Sequence, residues 1–273
     1  MASALKVLVN GDEKGEIAVS DRGLNYGDGL FETIAVFFGI PELLLEHLQR
    51  LLRGCEQLKI PFNDWNALQS DIEQLASSAT VSERAVIKVI ITRGSGGRGY
   101  QFPEDSELQR IVMLSPWPER PETAAKLRFC GTPLGCNPAL AGIKHLNRLE
   151  QVLARAEWGD NFDEGLMSNL HGDVIEGTMS NIFIVKDGGL RTPDLNRCGV
   201  EGIMRQHVIQ LAKDEGINTK IWALSSEQIL AADEIFITNS LMGIRPVALL
   251  ESNRFPTGPV TIQLMALLQE ERG

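Results

Sequence analysis

The chain has 273 residues, of which 43% are hydrophobic and 23% are charged, so it can bury a sizeable core in one large domain or two modest ones. Its 36 acidic and 26 basic side chains give a formal net charge of -10, which argues against nucleic acid and an anionic membrane as partners. A signal-peptide core, a membrane-spanning stretch and a CxxC pair are all missing from the sequence, which predicts a cytoplasmic protein with free thiols and no metal site.

The amino-terminal part of the chain alternates strand-like and helix-like patterns. We predict strands over residues 5–10 and 16–20 and in the apolar run 31–38. A helix follows, with one apolar stripe that we expect to be buried: Leu44, Leu48, Leu51, Leu52 and Cys55. Arg50 lies on the neighbouring face with His47 and Gly54, so it can point away from the core. Another helix is predicted over 65–77, and buried strands over 85–92 and 108–114.

A proline-rich segment divides the chain into two predicted domains. Three prolines lie between residues 115 and 121, and such a composition is typical of an extended connector. We therefore predict a smaller amino-terminal α/β domain over 1–114, a linker over 115–122 and a larger carboxy-terminal α/β domain over 123–273.

The second domain is also predicted to mix helices and strands. A strand over 126–131 precedes a helix whose inner face holds Leu146, Leu149, Leu153 and Ala156. Asp187-Gly188-Gly189 has the composition of a hairpin turn between strands 182–185 and 190–192. The remaining elements are a helix over 202–214, a short helix capped by Ser225 and Gln228, a strand over 234–238 and a helix from residue 259.

The glycine-rich segment 94–99 matches the pattern GxGxxG and follows a predicted strand. A dinucleotide-binding loop must open a helix, whereas residues 100–103 read Tyr-Gln-Phe-Pro here. We therefore interpret the segment as a loop able to cover a site, with Arg98 available for an anion. A solvated turn is the alternative.

Lys144 is a lone lysine among small and apolar residues of segment 139–147. Burial lowers the pKa of an amine and so favours the neutral form that nucleophilic or Schiff-base chemistry needs. The alternative is a lysine whose side chain simply reaches water.

Three further features suit an anionic cofactor. Segment 199–205 leads a glycine-bearing turn into a helix, which exposes the backbone N–H groups of Ile203 and Met204. Residues 238–240 end a strand with hydroxyl and amide groups. Glu176 lies in a largely uncharged stretch, where a carboxylate needs a partner. Each feature alone is also compatible with a cap, a turn or an ordinary ion pair.

Six motifs, in this order along the chain, resemble those of class IV pyridoxal-phosphate enzymes. They are 20–33 (SDRGLNYGDGLFET), 47–51 (HLQRL), the Lys144 segment, 176–183 (EGTMSNIF), 202–205 (GIMR) and 239–247 (NSLMGIRPV). The resemblance implies a two-domain, mixed α+β fold like that of D-amino acid aminotransferases, a small-molecule substrate and a homodimer. It also implies pyridoxal 5'-phosphate as the cofactor.

The resemblance assigns roles to individual residues. It implies that Lys144 attaches covalently to the cofactor and that Glu176 pairs with the pyridine nitrogen. Arg50 would bind the cofactor phosphate together with Ser240 and the backbone N–H groups of Ile203 and Met204. Thr33 matches a threonine that assists proton transfer. Arg98, Tyr100 and Tyr26 are assigned to substrate binding, although aminotransferases also carry a tyrosine at the position of Tyr26.

Two stretches favour elimination over transamination within this family. Residues 92–100 (TRGSGGRGY) and 137–152 (NPALAGIKHLNRLEQV) are most similar to its lyase members. The implied reaction converts 4-amino-4-deoxychorismate to 4-aminobenzoate and pyruvate, with Lys144 as the base. An aminotransferase acting on branched-chain or D-amino acids is the alternative, because both reactions begin with the same proton abstraction. A cofactor-free binding protein is the third hypothesis, and the presence of Lys144, Glu176 and Arg50 argues against it.

Overall fold

The computed structural model describes residues 5–13, 15–78, 84–105, 107–119 and 123–272. The chain divides into two compact units, the first comprising Met1–Arg120 with Ile143–Asn147 and the second comprising Pro121–Gly142 with Arg148–Gly273. Each unit combines helices with its own sheet, so the mixed α/β fold class is confirmed. Every helix in the described ranges is too short or insufficiently apolar to cross a bilayer.

The first unit is built on a five-stranded sheet with helices beside it. Its elements are β1 (Lys6–Val9), α1 (Arg22–Tyr26), β2 (Gly29–Phe37), β3 (Ile40–Pro41), α2 (Leu44–Gln57), α3 (Trp65–Ser77), β4 (Arg84–Thr92) and β5 (Gln109–Pro116). The strands follow the order β1-β5-β4-β2-β3 and all pair antiparallel. The predicted linker begins inside β5, because Ser115 and Pro116 pair with β4. Its residues 120–122 lie outside the described residues.

Alternation along β2 gives the sheet two different faces. Leu30 and Glu32 face α2: a Cβ atom at Gly54 of that helix would lie 2.8 Å from Leu30, and Glu32 binds two α2 side chains. Phe31 and Thr33 therefore lie on the opposite face of the sheet.

The stripe of α2 predicted to be buried is confirmed in part: Leu51 and Cys55 are buried, but Leu52 is 40% exposed. The buried side also includes His47, Arg50 and Gly54, which the sequence placed on the neighbouring face. The physical reason is Glu32, which is buried in the sheet and needs partners from the helix. The helix therefore turns its charged groups inward at this point.

The strand predicted over 16–20 is also wrong. A turn closes there, because the Asp21 N–H donates to the carbonyl of Ala18 at 2.9 Å. The side chain of Asn25 donates to the carbonyl of Val19 at 2.8 Å, so the backbone groups bond locally instead of to a neighbouring strand. The segment leads into α1.

The second unit contains a ten-stranded sheet. Its elements are β6 (Ala125–Phe129), α4 (Leu149–Arg155), β7 (Glu164–Ser168), β8 (Asp173–Gly177), β9 (Asn181–Lys186), β10 (Gly189–Thr192), α5 (Ile203–Asp214), β11 (Thr219–Ile221), β12 (Leu224–Ser225), α6 (Ser226–Leu230), β13 (Glu234–Asn239), β14 (Gly243–Leu250), β15 (Asn253–Arg254) and α7 (Pro259–Arg272). The strand order is β11-β10-β9-β13-β14-β6-β7-β8-β12, and β15 pairs with β14.

Two predictions about this unit are confirmed and one is wrong. The β9–β10 hairpin forms, and Ser225 with Gln228 forms a reciprocal capping box at α6. The predicted inner face of α4 is wrong, since Leu149 and Leu153 are 75% and 60% exposed while Ala154 is buried. An amphipathic pattern on so short a helix did not identify the side that packs on β7.

Candidate active site

The segment that carries Lys144 pairs with the edge of β2 in the first unit. The Phe31 N–H donates to the Lys144 carbonyl at 2.9 Å, and the Leu146 N–H donates to the Gly29 carbonyl at 3.0 Å. These bonds explain why Ile143–Asn147 clusters with the first unit, although the sequence placed it in the second domain. The ammonium nitrogen of Lys144 lies 4.4 Å from the ring centroid of Phe31. The lysine is thereby fixed by backbone pairing at the sheet face that carries Thr33.

A second lysine shares this face. Lys88 of β4 is the register partner of Thr33, and its ammonium nitrogen lies 5.4 Å from the centroid of the same Phe31 ring. Paired residues of antiparallel strands point to one face, so Phe31, Thr33, Lys88 and Lys144 form one group. Sequence reasoning missed Lys88. The only signal for it was one charged residue in the middle of an apolar strand.

Arg50 is held by a buried carboxylate. Its Nε donates to Oε1 of Glu32 at 2.8 Å and its Nη2 donates to Oε2, while Nδ1 of His47 lies 2.7 Å from Oε2. Burial raises the pKa of Glu32, but the Arg50 charge and the contact with His47 outweigh it and lower that pKa to about 2. The ionised carboxylate therefore fixes the direction of the guanidinium.

The structure brings Tyr26 and Tyr100 together, and Arg98 lies just before Tyr100 in the sequence. The two tyrosine rings contact each other edge to face with centroids 5.4 Å apart. Arg98 and Tyr100 are exposed, the latter at 83%. The described residues between the glycine-rich segment 94–99 and β5 form no helix, in agreement with the interpretation of the segment as a loop.

Glu176 is buried in β8 of the second unit. Its Oε2 accepts a hydrogen bond of 2.8 Å from the Val200 N–H, in the turn that leads to α5. The carbonyl of Val200 accepts from the Asn181 side chain at 2.9 Å. The carboxylate and the start of α5 are thus joined through a single residue.

The phosphate-type donors predicted from the sequence also lie in this unit. Ile203 begins α5, and its N-cap, Gly202, provides no side-chain hydrogen bond. Asn239 ends β13, and its Oδ1 accepts from the N–H groups of Leu241 and Met242, which shapes the turn that contains Ser240. The amide nitrogen of Asn239 donates to the Met179 carbonyl at 3.1 Å, so this turn is tied to the segment after Glu176.

Glu164 is a further residue that the sequence did not single out. Its carboxylate accepts hydrogen bonds from the N–H groups of Thr178 and Met179 and from the hydroxyls of Thr178 and Ser180. These four donors lie in the turn that follows Glu176. Glu164 therefore holds in place the backbone turn that follows Glu176.

The fold and the sequence can be compared with those of known proteins. The amino-transferase class IV family matches residues 29–250. The chain belongs to the class IV aminotransferase family.

Individual relatives cover nearly the whole chain. Aminodeoxychorismate lyase from Vibrio harveyi is 37% identical, over 95% of this chain and 98% of that protein. A D-alanine aminotransferase from Bacillus licheniformis is 30% identical, over 97% of this chain and 96% of that protein. The crystal structure of 4-amino-4-deoxychorismate lyase from Pseudomonas aeruginosa has a TM-score of 0.92 and 44% identity, over 97% of this chain and 98% of that chain.

Proposed function

We propose that this chain is a pyridoxal-phosphate-dependent lyase that converts 4-amino-4-deoxychorismate to 4-aminobenzoate and pyruvate. The observation that carries the proposal is the similarity to two such lyases over almost the full chain, at 37% and 44% identity. Two aminotransferases are less similar, at 33% identity for a putative branched-chain-amino-acid aminotransferase of Methanocaldococcus jannaschii and 30% for the D-alanine aminotransferase of Bacillus licheniformis.

The second unit offers donors that fit the cofactor. The hydroxyl of Thr238 is buried and has no hydrogen-bond partner among the described residues, and the first turn of α5 has no side-chain cap. Unpartnered donors at a helix amino terminus and a strand end suit a phosphate. Glu176 adds the carboxylate that a pyridine ring nitrogen needs in order to stay protonated. These features support pyridoxal phosphate as the ligand.

Different residues of the chain would hold different parts of the cofactor. When bound, pyridoxal phosphate supplies an aldehyde for covalent attachment and an electron-withdrawing ring. Lys144 would anchor it covalently, and Glu176 would keep a proton on the ring nitrogen. Arg50, Ser240 and the N–H groups of Ile203 and Met204 would bind the phosphate. The Glu32 carboxylate orients Arg50 for this contact.

Lys144 also moves the proton that the reaction requires. The Lys144 amine would take the proton from the substrate carbon that bears the nitrogen. The adjacent C–O bond then breaks, enolpyruvate leaves with the bonding electrons, and the substrate ring becomes aromatic. The proton passes from Lys144 to the enolpyruvate methylene, which gives pyruvate. Thr33, on the same sheet face, assists this last transfer.

Product analysis tests the proposed reaction. Purified protein supplied with pyridoxal phosphate is incubated with 4-amino-4-deoxychorismate, and 4-aminobenzoate and pyruvate are measured by chromatography. We expect equal amounts of the two products. Rapid transamination of branched-chain or D-amino acids with 2-oxoglutarate, without 4-aminobenzoate, would favour the aminotransferase alternative. A colourless protein whose visible spectrum does not respond to added pyridoxal phosphate would support the cofactor-free alternative.

Lys88 gives a prediction about substrate recognition. Its exposed ammonium lies on the face of Thr33 and Lys144, and the substrate is a dicarboxylate, so we propose that Lys88 binds one of the two carboxylates. Arg98 and Tyr100 are also proposed to bind the substrate, from the glycine-rich loop. We expect Lys88→Met to raise KM for 4-amino-4-deoxychorismate about tenfold, since one charged hydrogen bond contributes about 1.5 kcal/mol. Steady-state kinetics check this result. Lys6→Met changes an exposed lysine of β1 and should leave KM unchanged.

We also propose that the chain forms a homodimer. Leu149, Val152 and Leu153 of α4 are exposed at 75%, 60% and 60%, and their spacing forms one apolar patch on that helix. A mass of twice 30.0 kDa is expected in light scattering coupled to size exclusion. Leu149→Glu combined with Leu153→Glu should shift the mass to that of one chain. Ile262→Glu on α7 should not, and a reversed outcome would put the interface on α7.

A further inference from the structure

Arg22 stands at the centre of a contact cluster that the proposed mechanism does not use. It begins α1, and its side chain is 4% exposed. Asp21 caps this helix by accepting from the Leu24 N–H and also accepts from the hydroxyl of Thr92 at 2.6 Å. The start of α1 is therefore tied to the end of β4, where the glycine-rich loop begins.

Arg22 binds both ends of that loop. Its backbone N–H donates to the Gly94 carbonyl at 2.8 Å. Its Nη1 donates to the carbonyls of Gly99 and Gln101 at 3.2 and 3.3 Å, and its Nη2 donates to the carbonyl of Tyr100 at 3.3 Å. Arg22 thus contacts four carbonyls of segment 94–101, one through its backbone N–H and three through its guanidinium, and these contacts bracket the loop. The planar guanidinium can bind three carbonyls because its several N–H donors have a fixed geometry.

The Arg22 side chain is itself held in place by Asp28. Its Nε donates to Oδ2 of Asp28 at 2.8 Å, and Nε of Arg93 donates to the same oxygen at 2.8 Å. Arg93 also donates to the carbonyls of Leu58 and Lys59, both at 2.7 Å. Burial raises the pKa of Asp28, but the hydrogen bonds and charges of Arg93 and Arg22 outweigh it and keep that pKa below its ordinary value. Asp28 is therefore a charged anchor for Arg22.

A chain of contacts joins this bracket to the Lys144 segment. The Arg22 guanidinium lies 5.0 Å from the ring centroid of Tyr26, which in turn contacts the ring of Tyr100. The carbonyl of Gly27, next to Tyr26, accepts a hydrogen bond of 3.1 Å from the side chain of Asn147. The end of α1 therefore contacts both the glycine-rich loop, through Tyr26, and the Lys144 segment, through Gly27.

We propose that Arg22 is a positioning residue that presets the loop carrying Arg98 and Tyr100 for an anionic substrate. The substrate part of this inference rests on the proposed function. A loop ordered before binding costs less conformational entropy when the substrate arrives. Loss of the bracket should therefore weaken substrate binding while the chemistry at Lys144 continues. Lysine cannot replace the arginine, because a single ammonium group cannot bind Asp28 and the three carbonyls of Gly99, Tyr100 and Gln101 in the geometry of the guanidinium.

The loop can be observed without any turnover, because Tyr26 and Tyr100 are the 2 tyrosines of the chain. Protein labelled with 3-fluorotyrosine should give two fluorine NMR resonances, which Tyr26→Phe assigns. In cofactor-loaded protein we expect Arg22→Lys to shift the Tyr100 resonance and to speed tryptic cleavage after Arg98 about tenfold, as loss of about 1.4 kcal/mol of loop ordering predicts. Arg84→Lys is the control, since Arg84 also stacks on aromatic rings, those of Phe37 and Trp117.

A glycine pair in the loop tests the contact from the other side. A Cβ atom at Gly96 would lie 2.9 Å from Cδ of Arg22, whereas one at Gly97 would meet nothing within 4 Å. Gly96→Ala should therefore disturb the bracket in the same direction as Arg22→Lys, and Gly97→Ala should not. The pair decides the question if Arg22→Lys does not fold, because both positions lie in an exposed loop.

Kinetics then separate positioning from a general structural role. With 4-amino-4-deoxychorismate, Arg22→Lys should raise KM about tenfold and change kcat by less than about twofold. An unchanged Tyr100 resonance and cleavage rate, or a lower kcat at constant KM, would overturn the proposal, as would equal effects of the two glycine variants. If the wild-type protein forms no 4-aminobenzoate, the proposed function fails, and the resonance and cleavage measurements still decide whether Arg22 holds the loop.

Discussion

Replacement of Lys144 by Ala is expected to remove both the visible absorption of covalently bound cofactor and the formation of 4-aminobenzoate. The amine is the proposed anchor and the proposed base, so turnover should fall by at least about 10³-fold. The backbone bonds of this segment to β2 do not involve the side chain. The variant should therefore fold, and its circular dichroism should match that of the wild type.

Lys88→Ala is the matched control for that experiment. Lys88 lies over the same Phe31 ring, so its loss changes the local charge equally. The variant should keep the cofactor absorption that Lys144→Ala loses. Retained absorption and normal turnover in Lys144→Ala would assign both roles to another residue.

Glu32→Ala is expected to cost about 3–5 kcal/mol of unfolding free energy, because it leaves Arg50 and His47 buried without their carboxylate. Urea unfolding followed by circular dichroism measures this change. The variant should also lose cofactor affinity, since Arg50 is no longer oriented for the phosphate. Glu56→Ala, on the exposed face of α2, should change stability by less than about 0.5 kcal/mol.

The same carboxylate predicts a dependence of stability on pH. The pKa of Glu32 falls from its ordinary value of 4.5 to about 2 in the folded protein. A group whose pKa is lowered by folding stabilises the protein above its unfolded pKa and loses that contribution as the pH falls toward its folded pKa. The difference in stability between wild type and Glu32→Gln should therefore shrink as the pH falls from about 5 to about 2. A constant difference would contradict the ionised state of Glu32.

The sequence predicted single elements better than it predicted their orientation. The helix over 65–77 and the β9–β10 hairpin follow from local spacing and turn composition, and both formed. The buried face was predicted only in part for α2 and wrongly for α4, because tertiary partners decide which side of a helix is buried. For α2 the decisive partner is Glu32, which belongs to a different element.

The residues of the candidate site also differ in whether the sequence could predict them. Lys144, Glu176 and Arg50 could be proposed because each lies in a motif that resembles the family. Lys88 could not, since its position beside Thr33 depends on the register between β2 and β4. Arg22 lies within a motif, but its contacts with Gly99, Tyr100 and Gln101 depend on a loop distant in sequence. The roles of all these residues stay predictions until the experiments above are done.

The pairing of residues 143–147 with β2 has a consequence for how the protein is made. When only the first 120 residues have been synthesised, segment 143–147, which bonds to β2 at Gly29 and Phe31, is not yet present. The first unit is therefore discontinuous in the chain, and its sheet edge is completed late in synthesis. Expression of residues 1–120 alone would give a fragment that lacks segment 143–147, and a single cut in the chain cannot separate the two units.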